Sequence, residues 1–325
     1  MGNRMLVWFC AVATAILYPA LAAGQTAAGR TPRTPDGHPD LQGNWVNKSA
    51  TPLERPEQLK GRQFLTATEV ADMKTRAGRI FKDTNSDFAT PDNFFLAALA
   101  NVEKYKSVTA TGGFVEQIDL EFDNRTSLIV DPPDGRIPPY TPAGERRLAA
   151  LQAATLVTTH PAITEDLTSF QRCITWGVPM PRAGAYTSYY QIVQTPDYAM
   201  LLTEVIHDAR IIPLDNRPHL PADVRAWHGD SIGHWEGETL VVDTTNFSPK
   251  SNFMGSRENL HLIERFTRVA SDQLGYEITV IDLTTWTKPW TMALRLKQTE
   301  DRIHEFACHE GNFRVMEGMF LRGPA

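Results

Sequence analysis

The chain has only three cysteines in 325 residues, and one of them, Cys10, falls in an N-terminal apolar stretch. Nothing in the spacing of the other two, Cys173 and Cys308, suggests a metal site. Basic runs and acidic tails are missing and the net charge is −6, so nothing points to nucleic acid as a partner. The apolar run at the N-terminus falls short of the ~20 residues that a membrane span needs. No dinucleotide or phosphate-loop motif occurs, which argues against nicotinamide chemistry and leaves no organic cofactor implied. There is also no repeat of about 30 to 50 residues of the kind that marks solenoids and propellers.

What is present begins with a three-part export pattern. Arg4 supplies a short positive region, residues 5–18 an apolar one, and Ala20-Leu21-Ala22 an A-x-A cleavage signal. Residues 1–22 are therefore expected to be a signal peptide, and the mature protein to be periplasmic or secreted without a membrane span. Cleavage leaves Cys173 and Cys308; an oxidising compartment favours a disulfide between them, and two buried thiols are the alternative, since pairing needs a closeness in space that spacing does not show.

Two regimes follow. Residues 23–184 read as an N-terminal wrapping segment with helices and a few strands. A first strand starts in Asp40-Leu-Gln-Gly-Asn-Trp-Val46, and a helix is expected over 67–80. Thr66 and Glu69 supply its capping box, and Val70, Met73 and Ala77 its apolar stripe. A strand over 125–131 ends in Pro-Pro-Asp-Gly, and a second helix follows Tyr140. From 185 to 325 β-branched and aromatic runs alternate with turn signals, predicting strands at 189–194, 198–205, 206–213, 231–235, 239–244, 260–269, 274–282, 290–298 and 302–308. The expected fold is mainly β: an antiparallel meander closed as a barrel or bent as a curved sheet, integrated with 40–184 in one domain.

Gly229-Asp-Ser-Ile-Gly233 matches the G-x-S-x-G of serine hydrolases. A nucleophile elbow needs a helix after the serine, and here Trp-Glu-Gly-Glu-Thr leads into a β-branched strand instead. The interest moves to the histidines beside Ser231. In an extended chain His228, Asp230 and His234 share one face, and His228 with Asp230 is either an imidazole–carboxylate pair suited to general-base work or a polar rim contact. Read as a strand, 201–211 places His207 among aliphatic residues and Arg210 on the opposite face. Such a histidine is either a core residue bonded to a carbonyl or tyrosine, or a base lining a ligand cavity. The candidate catalytic residues are His207, His228, Asp230 and His309. Tyr189, Arg210, His234 and Trp235 are candidate binding residues. No spacing among them is diagnostic of a metal.

Four segments resemble those of a large group of exported bacterial proteins without an assigned reaction. They are Arg125-Thr-Ser-Leu-Ile-Val-Asp-Pro-Pro-Asp-Gly-Arg-Ile-Pro-Pro, His207-Asp-Ala-Arg-Ile-Ile-Pro-Leu-Asp, Gly233-His-Trp-Glu-Gly-Glu-Thr-Leu-Val-Val-Asp-Thr and Cys308-His-Glu-Gly-Asn. That resemblance implies export and a single integrated fold but brings no catalytic residues. Gly43-Asn-Trp45 and Gly233-His-Trp235 also match the G-x-W of lipocalin-like barrels.

Three functions remain open. The leading one is an exported enzyme acting on a small organic molecule by cofactor-free acid–base chemistry, as a lyase, isomerase or hydrolase. The others are a non-catalytic binding barrel for an apolar ligand and an envelope scaffold. Convergence of His207, Asp230 and another histidine around a pocket would mark the enzyme. Should the four histidines, His207, His228, His234 and His309, prove scattered over separate surfaces, the enzyme reading fails.

Overall fold

A computed structural model of the chain describes residues 31–82, 86–87, 89–106, 120–157, 163–179 and 188–321. The expected signal segment over 1–22 lies outside them. From Tyr189 onward the strands alternate between covered and open side chains, the period-two pattern of a sheet with one face on a core. Ten antiparallel strands result: β1 (Gly43–Val46), β2 (Ile129–Asp131), β3 (Tyr189–Gln194), β4 (Tyr198–Thr203), β5 (Ala209–Pro213), β6 (Asp230–Glu236), β7 (Thr239–Thr245), β8 (His261–Ala270), β9 (Gln273–Ile281) and β10 (Trp290–Thr299). Four helices accompany them: α1 (Ala67–Lys82), α2 (Pro91–Ala100), α3 (Pro142–Val157) and α4 (Cys308–Leu321).

The strand order is β5-β4-β3-β1-β10-β9-β8-β7-β6, with β2 also paired to β10. The sheet is curved and not closed. Its two edge strands approach through side chains: a Cβ added to Gly233 of β6 would sit 2.7 Å from Leu214 Cδ2 and 3.1 Å from Ile212 Cγ2. Any larger residue would have to push those two side chains aside, so glycine eases the approach. β1, from the N-terminal half, lies mid-sheet between β3 and β10, so the two halves of the chain share one core. Trp45, Tyr190, Leu262, Leu274, Ile278 and Met292 represent that core. A smaller second core joins α1 and α2 through Met73, Ala77, Phe94, Phe95 and Phe122.

The capping box forms as the spacing predicts: Thr66 N–H donates to Glu69 Oε2 at 2.8 Å, and Glu69 N–H to Thr66 Oγ1 at 3.2 Å. The expected second helix is α3. Four features differ from the sequence reading. The strand over 125–131 is only three residues long. The run 204–207 is not strand but the loop of the β4–β5 hairpin, closed by Thr203 N–H on the Asp208 carbonyl at 2.9 Å, with Ile206 and His207 at φ 57° and 45°. The expected strand over 302–308 is absent, and Cys308 opens α4. Gly311 and Gly318 inside α4 dilute its helical signal. α2 was also unforeseen; it starts with Pro91 in its first turn, where the missing N–H costs nothing, and buries several of its side chains. No helix among the described residues is long and apolar enough to cross a membrane.

Candidate functional site

The β4–β5 hairpin loop shifts the side-chain parity of the strand that follows it. Arg210 and Ile212 therefore point into the core, and Asp208 sits at the rim on the same side, while His207 is exposed. Nearby, the Cys173–Cys308 disulfide, with Cα atoms 5.8 Å apart, ties α4 to the segment that delivers Thr175 two residues later. His228 arrives from the strand side. Gly229 follows it at φ +72°, and a Cβ there would lie 2.4 Å from the Thr245 carbonyl oxygen. The turn that aims His228 thus requires glycine.

These three segments bring Thr175, Asp208 and His228 together. Thr175 Oγ1 lies 2.7 Å from Asp208 Oδ2 and 2.6 Å from His228 Nε2, and it accepts the Gly177 N–H at 2.8 Å. His228 Nε2 is 3.3 Å from Asp208 Oδ2, which also accepts the Trp176 N–H at 3.2 Å. A hydroxyl has one donor and two acceptor positions. Giving its proton to Asp208 and accepting from Gly177 and His228 uses all of them. Thr175 is then a bridge and not a nucleophile, and His228 presents an Nε2–H tautomer whose Nδ1 has no protein partner among the described residues. Two clefts adjoin the trio. One, of about 20 Å³, is lined by Thr175, Trp176, Trp227 and Phe253, and the other, of about 10 Å³, by Asp208, Arg210, Tyr190 and Tyr276; His228 lines neither.

Beneath the second cleft is a dry charged cluster. Arg210 holds Glu264 of β8 through two bonds of 2.7 and 2.8 Å, and Tyr276 Oη donates to Glu264 Oε1 at 2.5 Å. The two charged side chains are 5% and 0% exposed. Burial and the Glu264 charge push the Tyr276 hydroxyl far above its ordinary range, so it stays a donor. Burial alone would lower the Arg210 guanidinium, but Glu264 more than offsets it and holds the group charged.

A second network occupies the outer face. His219 Nδ1 and Nε2 lie 2.9 Å from Asp230 Oδ2 and 3.1 Å from Asp243 Oδ1, and His261 Nε2 lies 2.9 Å from the same Asp243 oxygen. Asp230 Oδ2 also accepts the Leu220 N–H at 2.9 Å.

The eight sequence candidates do not gather at one place. His228 is in the trio, paired with Asp208 and not with Asp230, because the left-handed Gly229 breaks the extended alternation between them. Asp230 belongs to the outer network. His207, predicted on an aliphatic strand face, is exposed on the hairpin loop. His309 is on α4, in a cleft with Arg172 and Phe313, and not on a strand. His234 faces outward beside Glu236 at 3.2 Å. Trp235 stacks on His38 with centroids 4.6 Å apart. Tyr189 Oη reaches Asp301 Oδ2 at 3.4 Å. Arg210, expected on the face opposite the aliphatic residues, is buried with them. The convergence of His207, Asp230 and a further histidine is not formed.

Ser231 Oγ pairs with Thr244 Oγ1 at 2.9 Å inside the β6–β7 hairpin, which accounts for the serine of the G-x-S-x-G match. Sequence reasoning missed Thr175, Asp208, His219, Glu264 and Tyr276. Glu264 had a signal: it shares its strand face with Leu262 and Phe266, and a carboxylate in an apolar register calls for a buried cation. Among the described residues no three His, Cys, Asp or Glu side chains are arranged to hold a metal ion. Compared with models of known families, with curated proteins and with solved structures, the chain matches none.

Proposed function

We propose that the protein is an exported enzyme that acts on a small organic molecule by acid–base chemistry without an organic cofactor. The observation that carries this reading is the Thr175–Asp208–His228 trio, whose Thr175 and Asp208 each line a small cleft. The reading that rests on converging histidines fails, since His207, His228, His234 and His309 lie apart; the trio is a different arrangement, in which His207, Asp230 and His309 take no part. His228 moves the proton through Nδ1. Asp208 and Thr175 are positioning residues that fix its tautomer and steady the imidazolium. Arg210, Glu264 and Tyr276 form the rigid floor beneath. The Cys173–Cys308 bridge supports an oxidising compartment. A lipocalin-like binding role draws less support, because the side chains of Trp45, Tyr190 and Leu201 pack together in the main core of the described residues.

The test is incubation of the purified protein with a small-molecule extract, followed by mass spectrometry. The wild type should convert at least one compound, and His228→Gln should lower that rate by about 10²-fold or more. A wild type that converts nothing, or a variant that is equally active, removes the acid–base reading. A compound that co-purifies and is returned unchanged would make the protein a binder.

A further inference from the structure

A further cleft lies away from the trio and shares no lining residue with the two beside it. It forms where residues 121–125 pass beside Ser49, bridged to it at Glu121, next to side chains from the outer faces of β9 and β10. Its space is about 250 Å³, below the roughly 300–1,000 Å³ of pockets for drug-sized ligands. We propose that this cleft binds the oxyanion group, phosphate or carboxylate, of a small molecule.

The charge balance is the first argument. Lys48, Arg125, Arg295 and Lys297 line the cleft against two carboxylates, Glu121 and Asp123. Glu121 pairs with Lys297, and Asp123 pairs with Arg125 while accepting the Thr51 hydroxyl at 3.1 Å. The carboxylates are therefore spent, and a local positive excess remains in a chain whose net charge is −6. Among the described residues neither Lys48 Nζ nor the Arg295 guanidinium has an ion pair or hydrogen bond to the protein. Arg295 lies across the ladder from Gly275, so no side chain on β9 stands directly opposite it.

Arg125 supplies an independent second argument. Its side chain is only 10% exposed. Nε donates to Asp123 Oδ2 at 2.7 Å and Nη1 to the Ala293 carbonyl at 2.6 Å. Nη2 lies 2.6 Å from that same Oδ2, yet it is a buried nitrogen without a well-directed acceptor. A guanidinium has five N–H donors, and these acceptors do not use them all. A buried cation with unspent donors, lining a cleft beside two further cations, is complementary to an oxyanion.

The experiment is calorimetric titration of the full chain with inorganic phosphate and, separately, citrate at low ionic strength. Saturable one-site binding of at least one anion is expected. Arg295→Ala, at an exposed position, and Lys48→Ala, at a half-buried one, should each weaken it roughly tenfold. Glu121→Gln should tighten it by freeing Lys297, and Lys288→Ala, outside the cleft, should leave it unchanged. Binding of phosphate alone assigns a phosphate group, and binding of citrate alone a carboxylate. No saturable binding of either anion, or binding indifferent to both cation variants, overturns the proposal.

Discussion

The two charged networks of this sheet use similar chemistry on opposite faces, and the environment decides what each does. Inside, Arg210 and Glu264 are bonded bidentately and capped by Tyr276 where almost no water reaches. Outside, His219 bridges Asp230 and Asp243, and Asp243 bridges two histidines, all within reach of solvent. The inner pair is fixed in charge and acts as rigid framework under the site. The outer one is screened, contributes little, and responds to pH. A histidine–carboxylate contact is therefore not in itself a sign of function; the trio around His228 stands apart because two of its members, Thr175 and Asp208, each line a small cleft.

The contrast breaks most visibly from within. Arg210→Met leaves Glu264 buried without its cation and should cost about 3–5 kcal/mol, measured by urea denaturation at pH 7. Adding Glu264→Leu should regain most of that loss, because two apolar side chains can replace a buried pair. A single variant as stable as the wild type would mean that water already reaches Glu264.

The next effect concerns the residue that divides the networks. Gly229→Ala meets both a left-handed backbone and the Thr245 carbonyl, and should cost roughly 1–3 kcal/mol. Its sharper consequence is selective. The NMR signals of the His228 ring should shift as it leaves Asp208, while those of His219 stay in place. If both rings shift together, or neither does, Gly229 is not the divider.

This division explains which parts were legible in sequence. The hairpin β6–β7, the long strands β8 to β10, the α1 capping box and the cysteine pair follow from local spacing, and each is present. The dismissal of Ser231 rested on the strand that follows it, also a local feature. The site was not local. Thr175, Asp208 and His228 are held together by a disulfide, a four-residue hairpin loop and a single left-handed glycine, none of which leaves a periodic trace. The hairpin loop at 204–207 also reversed which of His207 and Arg210 enters the core, since one change of parity flips every side chain after it. Glu264 could have been found, because its register with Leu262 and Phe266 marks it as buried.

The smallest expected effect tests the outer network through pH. Burial by itself would raise the Asp243 carboxyl, but the hydrogen bonds and charges of His261 and then His219 outweigh it and hold the group below its ordinary 3.8. A carboxylate whose pKa is lowered by folding stabilises the folded state above its unfolded value and loses that contribution as pH falls through the folded one. The wild type should therefore be more stable than Asp243→Asn at pH 6, and the gap should close as pH falls below 3.8. Asp243 is 37% exposed, so solvent screening keeps the gap under about 1 kcal/mol. Urea midpoints of both proteins at pH 6 and pH 3 measure it, and other carboxylates cancel in the difference. A gap that does not change with pH would show that the histidines do not hold Asp243. A gap as large as that of Arg210→Met would place the outer network in the same class as the inner one and remove the contrast between the two faces.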